Sequence, residues 1–247
     1  MKLHRRESGS GAPLVIVHGL FGSSRNWMSI TPKLAEQRRV IAVDLRNHGD
    51  SPHDAHMSLA DLADDLADLL DEPADFLGHS LGGKAAMILA LKQPEKVRRL
   101  IVVDIAPASY PAVHTRTIAA MQSVPLCEIR ARADADAFLA RTIEDSRVRR
   151  FLLTNLNRVD GKFQWRLNLD ALATWIRELS SFTGTGTFDG PSLFLAGERS
   201  DYVGTAEADL IACQFPNSAL QFITDAGHWI HADQPAAMIE AVEAFLP

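Results

Sequence analysis

The apolar positions along the chain fall into two alternating patterns. Short apolar runs occur at residues 14–17, 40–43, 74–77, 97–103, 192–196 and 219–224, several of them rich in Val and Ile. Runs of that length and character read as strands buried on both faces. Between them, apolar residues three and four apart predict helices over residues 27–37, 58–70, 81–91 and 205–214, and a last one from Pro235. In the second of these, Leu59, Leu62, Ala63, Leu66, Leu69 and Leu70 form one stripe behind Ser58, a suitable cap. Asp61, Asp64, Asp65 and Asp68 fall on the other face and predict a solvated surface rather than a metal site. Pro94 ends the third helix, and Pro235 suits the first turn of the last. Strand and helix alternating at this spacing predict an α/β domain, a mostly parallel sheet with helices on both faces.

The rhythm breaks near residue 113. From there to residue 182 the spacings are helical, as in Ile118/Met121, Phe138/Thr142 and Leu169/Leu172/Ile176, and no strong strand stands out. This predicts a helical insert, a lid over one end of the sheet, returning through the flexible Thr183-Gly184-Thr185-Gly186-Thr187. Its helices are too short and too moderately apolar for an independent domain. The expected division is a core over residues 1–112, the insert over 113–186 and the rest of the core over 187–247.

Composition sets limits on this picture. A chain of 247 residues suits one large α/β domain with a substantial core. No apolar run approaches the ~20 residues of a membrane span, and the N-terminal stretch leads into no apolar secretory region. Cys127 and Cys213 lack metal-type spacing and read as buried or incidental thiols, which suits a reducing cytoplasm. A net charge of −6 argues against nucleic-acid binding. Residues 113–182 nevertheless carry 11 Lys and Arg against 8 Asp and Glu, so the insert is more basic than the body. The plain reading of that excess is a solvated helical face.

The candidate chemistry begins at Gly78-His79-Ser80-Leu81-Gly82, between the third predicted strand and the helix after it. A G-x-S-x-G pattern between strand and helix is a nucleophile elbow, with the serine Oγ exposed at a strained turn. Acyl transfer through serine also needs a base, an acid to orient it, and donors for the oxyanion. His228, in the loop after the last strand, is the base candidate among nine histidines, with His231 its nearest rival. Two acids compete. Asp104 directly follows the strand at 97–103, and Asp201 lies a few residues past the strand at 192–196; loop geometry favours Asp104. Leu81 would supply one oxyanion amide, and Leu20 or Phe21 in the glycine-punctuated His18-Gly19-Leu20-Phe21-Gly22 the other. His18 and His79 read as loop-shaping residues within the site.

Taken together, His18-Gly19-x-x-Gly22, Asp44-x-Arg46-x-His48-Gly49-x-Ser51, the elbow and Gly227-His228 resemble the α/β-hydrolase superfamily. More narrowly, Asp44-Leu45-Arg46-Asn47-His48-Gly49, Val103-Asp104-Ile105-Ala106-Pro107 and Ala226-Gly227-His228-Trp229-Ile230-His231-Ala232 resemble the YbfF-type bacterial esterases. The resemblance implies the α/β-hydrolase fold, an acid after the strand that follows the nucleophile, and a serine, here Ser200, where most relatives carry the acid. Trp165-Arg166-x-Asn168-Leu169 in the insert belongs to the same likeness. Phe21, His79, Trp165 and Trp229 then form the expected substrate-binding set. The stretch before Leu14 leaves little room for the first two antiparallel strands of the fold.

The implied activity is hydrolysis of small-molecule carboxylic esters or thioesters of short to medium acyl chain, some relatives acting on acyl-CoA, with no cofactor and no metal. The same scaffold also hosts C–C bond hydrolases, lactonases and perhydrolases, and a binding module could be built on it. Ser80 at the elbow excludes the relatives that need Asp there. Oligomeric state is open.

Overall fold

The computed structural model describes residues 1–246. Seven strands form one sheet: β1 (Arg5–Ser8), β2 (Pro13–Val17), β3 (Arg39–Val43), β4 (Ala74–His79), β5 (Val97–Val103), β8 (Ser192–Gly197) and β9 (Ser218–Ile223), in the order β1-β3-β2-β4-β5-β8-β9. All neighbours run parallel except β1, which pairs antiparallel with β3 from Arg5 opposite Val43 to Ser8 opposite Val40. The short stretch before Leu14 thus holds one antiparallel strand at the edge.

Residues alternate between the two faces, as strand geometry requires. Val15, Val17, Ile41, Val43, Phe76, Val102 and Phe194 face one buried cluster with α2 (Leu59–Ala67), α3 (Leu81–Lys92) and α8 (Thr205–Gln214). Leu14, Ile16, Val40, Leu77, Ile101, Val103 and Leu195 face the other, against Trp27, α1 (Thr31–Leu34), α9 (Ile230–Asp233) and α10 (Pro235–Phe245). Each fully buried aliphatic or aromatic side chain contributes about 1.5–3 kcal/mol of hydrophobic free energy. α3 is buried on nearly every side from Leu81 to Ala90, because α2 packs along a side that the sheet does not cover.

The insert leaves after β5 and carries α4 (Thr115–Gln122), α5 (Arg132–Leu139), α6 (Ser146–Leu153) and α7 (Leu169–Ser180). Ile118, Met121, Leu139, Leu152, Leu172 and Ile176 belong to the same buried cluster as α3, so insert and body share a core. It is not wholly helical, contrary to the reading of its spacings. β6 (Leu156–Val159) and β7 (Lys162–Trp165) form a hairpin, joined by Asp160 and Gly161 at φ 49° and 81°. Asp-Gly with both residues left-handed is the turn that two-residue hairpins favour.

Other expectations are also corrected. The helix over residues 27–37 is instead a 3₁₀ turn, Ser24–Trp27, followed by the short α1, where Pro32 in the first turn lets a new helix begin. Asp65 is not solvated: it is buried, with its carboxylate gripped by Arg46 at 2.6 and 2.9 Å. Both cysteines are exposed. No helix among the described residues is long and apolar enough to cross a membrane.

Candidate active site

β4 delivers Ser80 and α3 leaves from it, so the chain reverses within one residue. Ser80 takes φ 51° and ψ −118°, a backbone conformation costing about 1–3 kcal/mol for a side chain other than glycine's. A Cβ at Gly78 would lie 2.4 Å from the Gly82 carbonyl oxygen, and one at Gly82 2.5 Å from that of His18. Only glycines let the turn close. Ser80 N–H donates to the Val103 carbonyl at 3.0 Å and its own carbonyl accepts from Lys84, which fastens the turn to β5 and α3.

Asp104 ends β5 at φ 54° and is fully buried. Its backbone N–H donates to the Leu195 carbonyl, 2.7 Å away. The carboxylate accepts three hydrogen bonds, from Gly197 N–H at 2.8 Å on Oδ1, and from His228 Nδ1 at 2.7 Å and the Ser200 hydroxyl on Oδ2. Ser200, at the position where the acid is expected in most relatives, therefore holds the Asp104 carboxylate. Asp201 is exposed and does not reach His228.

His228 is held on several sides. With Nδ1 turned to Asp104, its other ring nitrogen is free for a reacting group. Tyr202 stacks on the ring with centroids 4.3 Å and planes 25° apart. His79 Nε2 donates to the His228 carbonyl at 2.8 Å, so His79 supports His228 through its backbone. Burial holds His79 well below the usual histidine pKa, and pushes His114 and His231 down to about 4. The imidazoles around His228 are thereby kept neutral. His231 does not contact Asp104; its ring stacks near Trp27 at 4.6 Å.

The loop after β2 separates the two oxyanion candidates. Phe21, at φ 62°, donates its backbone N–H to His48 Nε2 at 3.2 Å, and its carbonyl accepts from Asn155 Nδ2 of the insert at 2.8 Å. That amide is engaged away from Ser80, which corrects the reading of Phe21 as an oxyanion donor. Leu20 N–H and Leu81 N–H have no protein acceptor among the described residues. His48 can accept because burial, and to a lesser degree the neighbouring His18, push its pKa to about 3; its Nδ1 donates to the Arg46 carbonyl at 3.0 Å. His18 likewise accepts from Leu45 N–H at 3.0 Å. Asp44 completes the loop, accepting from Ser24 N–H at 2.6 Å and Asp50 N–H at 2.8 Å. His4, Asp44 and Asp50 come within metal-ligand range of one another, but the Asp44 oxygens are already engaged in shaping the loop.

Ser80 and His228 line one cavity of about 230 Å3, together with Leu20, Phe21, His79 and Trp229. Trp165 does not line it. Its indole N–H donates to the Met121 carbonyl at 3.0 Å, pinning the hairpin to α4 outside the cavity that Ser80 and His228 share. Asn155, His48 and Tyr202 are the contributors that sequence reasoning missed. Asn155 and Tyr202 stand in no motif, and His48 stands in the Asp44-x-Arg46-x-His48-Gly49-x-Ser51 pattern, whose spacing gives no hint that its ring meets the Phe21 amide.

Comparison with known proteins gives the same architecture. Residues 12–235 match the model of the alpha/beta hydrolase fold family. The chain belongs to that family. This hydrolase is 42% identical to the sn-1-specific diacylglycerol lipase ABHD11 of Mus musculus, over 94% of its own length and 80% of that protein. It is 36% identical to Esterase YbfF of Escherichia coli, over 96% of its length and 94% of the relative. Among solved structures, a marine microorganism esterase superposes with a TM-score of 0.96 at 40% identity, over 99% of each chain.

Proposed function

We propose that this α/β-hydrolase cleaves small-molecule carboxylic esters, and by the same chemistry thioesters, through an acyl-enzyme on Ser80. The observation that carries this reading is the 2.7 Å contact between His228 Nδ1 and Asp104, on a histidine that shares a cavity with the elbow serine. The naming of relatives as esterases and lipases supports it independently.

In this scheme Ser80 Oγ attacks the ester carbonyl while His228 Nε2 takes its proton. Asp104 holds the imidazole in the required tautomer and stabilises it once charged. The carbonyl oxygen, now an oxyanion, moves toward Leu20 N–H and Leu81 N–H. Collapse of the tetrahedral centre breaks the bond to the leaving oxygen or sulfur, which receives the proton from His228. Water, deprotonated by the same histidine, then attacks the acyl-enzyme, and Ser80 leaves with its proton restored. Every proton is accounted for by His228, and no cofactor enters. The apolar walls suit acyl and alcohol groups of modest length.

The test is a burst experiment with p-nitrophenyl butyrate combined with intact-mass analysis of the quenched enzyme. The reading expects a nitrophenol burst near one equivalent, or a butyryl adduct on the peptide containing Ser80 after acid quench. Modification by a fluorophosphonate at a residue other than Ser80 would contradict it.

A further inference from the structure

Two cavities open beside Ser80, and only one reaches His228. The larger, about 230 Å3, lies between the His228 loop and the insert helices α4 and α6, with Val148, Phe151 and Trp229 among its walls. The smaller, about 50 Å3, lies on the Leu81 side, bounded by Ile105 and Tyr110 and by Ile176 and Leu179 of α7. Leu20, Ser80 and His114 border both. Tyr202, which stacks on His228, forms part of the smaller cavity's wall; His228 itself does not line it.

Acyl transfer fixes four directions about the reacting carbon. One is the bond to Ser80 Oγ, and a second is the oxyanion facing the Leu20 and Leu81 amides. The leaving oxygen takes a third, within hydrogen-bond reach of His228, because that histidine must protonate it. The acyl chain takes whatever direction remains. Since His228 lines the larger cavity alone, the leaving group belongs there and the acyl chain in the smaller one.

We propose that the small cavity beside Leu81 is the acyl site and the large cavity beside His228 is the alcohol site, so that the preferred substrates are short-acyl esters of bulky apolar alcohols. This assignment rests on the Ser80 acyl-transfer reading and deepens it.

The volumes set the scale. At about 12 Å3 for each water-sized group, the smaller cavity holds roughly four such groups and the larger roughly nineteen. Acyl chains of about two to five carbons fit the former, while longer ones must displace Ile176 or Leu179, both buried. Apart from Ser80, the His114 ring and the Tyr202 hydroxyl, the polar side chains lining the small cavity are engaged with backbone carbonyls. Lys84 Nζ donates to the Ser180 and Ser181 carbonyls at 2.6 and 2.8 Å, the Tyr110 hydroxyl to the Tyr202 carbonyl at 2.7 Å, and the Ser180 hydroxyl to the Ile176 carbonyl at 2.7 Å. These side chains are left to present hydrocarbon to the substrate.

Two substrate series test the assignment. One varies the acyl chain of a fixed alcohol from acetate through butyrate to octanoate. The other varies the alcohol of acetate esters from ethyl to 2-phenylethyl to 2-(2-naphthyl)ethyl, alcohols chosen for similar leaving-group acidity. The wild-type enzyme is expected to lose at least about 10-fold in kcat/KM from butyrate to octanoate, in line with the roughly 10–200-fold effect of a misfitting methylene in an apolar pocket. It is expected to gain from ethyl to naphthylethyl acetate. Ile176→Ala should raise the octanoate-to-acetate ratio about 10-fold, and Val148→Trp should lower the naphthylethyl-to-ethyl ratio. Val113→Trp, at an exposed position on the small cavity's rim, should lower the butyrate-to-acetate ratio and serves if Ile176→Ala does not fold. Wild-type preference for octanoate, indifference to acyl length, or an Ile176→Ala effect on the alcohol ratio alone overturns the assignment while leaving Ser80 catalysis intact. Turnover of no ester in either series overturns the Ser80 reading, and the assignment with it.

Discussion

The backbone N–H of Phe21 donates to His48 Nε2, 3.2 Å away. This contact leaves the neighbouring Leu20 amide without a protein acceptor, and it joins the loop after β2 to the one after β3. His48→Leu removes the acceptor and strands a buried N–H, a loss of about 1–3 kcal/mol. The freed loop should also lower kcat, by about 10–100-fold, with a smaller change in KM. His48→Gln keeps an acceptor and should recover part of both. Thermal unfolding alongside ester kinetics checks this; a His48→Leu enzyme with wild-type kcat and Tm would show that the contact does not shape the site.

Asn155 holds the same peptide from the opposite side, its Nδ2 2.8 Å from the Phe21 carbonyl. Asn155→Leu should therefore lower kcat by about 10-fold while KM moves little, because its effect passes through the loop rather than through a substrate contact. Steady-state kinetics separate the two parameters. A change confined to KM would instead place Asn155 against the substrate.

Asp104 and Asp201 differ in what they touch. Asp104→Asn keeps the shape but turns an acceptor toward a donor at His228, and a wrong tautomer in such a triad lowers kcat by about 10⁴-fold. Asp201→Asn, at an exposed position, should stay within about twofold of wild type. Parallel kcat measurements decide between them, and the reverse ranking would move the acid to Asp201.

Much of this architecture is visible in the residues because it depends on local rules. The elbow needs glycine at 78 and 82, and those glycines are in the motif. β5 ends where its apolar run ends, so Asp104 emerges at the sheet's edge as its position predicts. The roles of Asn155 and His48 were hidden, because each acts through a contact between segments far apart in the chain. Trp165 shows the same limit: its place in Trp165-Arg166-x-Asn168-Leu169 gives no hint that its indole bonds the Met121 carbonyl of α4. The hairpin was legible after all. Asp160-Gly161 is a hairpin turn signal, competing with a flanking apolar spacing that also fits helix. Asp65 was read onto the solvated face because its helical position gives no hint of Arg46 arriving from another loop.

Buried neutral histidines give the fold a pH dependence. Burial lowers the pKa of His18 and His79, brings His48 to about 3, and brings His114 and His231 to about 4. In the unfolded chain each titrates near 6.5. Below about 6.5 the unfolded state therefore binds protons that the folded state refuses, and stability falls as pH drops through that window. His48 alone accounts for up to about 2 kcal/mol at pH 5. Tm at pH 5 should lie about 4 °C or more below Tm at pH 7.5. A flat Tm between those values would mean that the histidines charge without unfolding the protein.

The central claim is that Ser80 is the nucleophile, and kcat of Ser80→Ala toward p-nitrophenyl butyrate tests it most directly. The serine triad account predicts a fall on the order of 10⁴–10⁶-fold with an unchanged circular dichroism spectrum, since the remaining rate comes from the oxyanion donors and binding alone. A folded Ser80→Ala enzyme retaining kcat within 10-fold of wild type would contradict it.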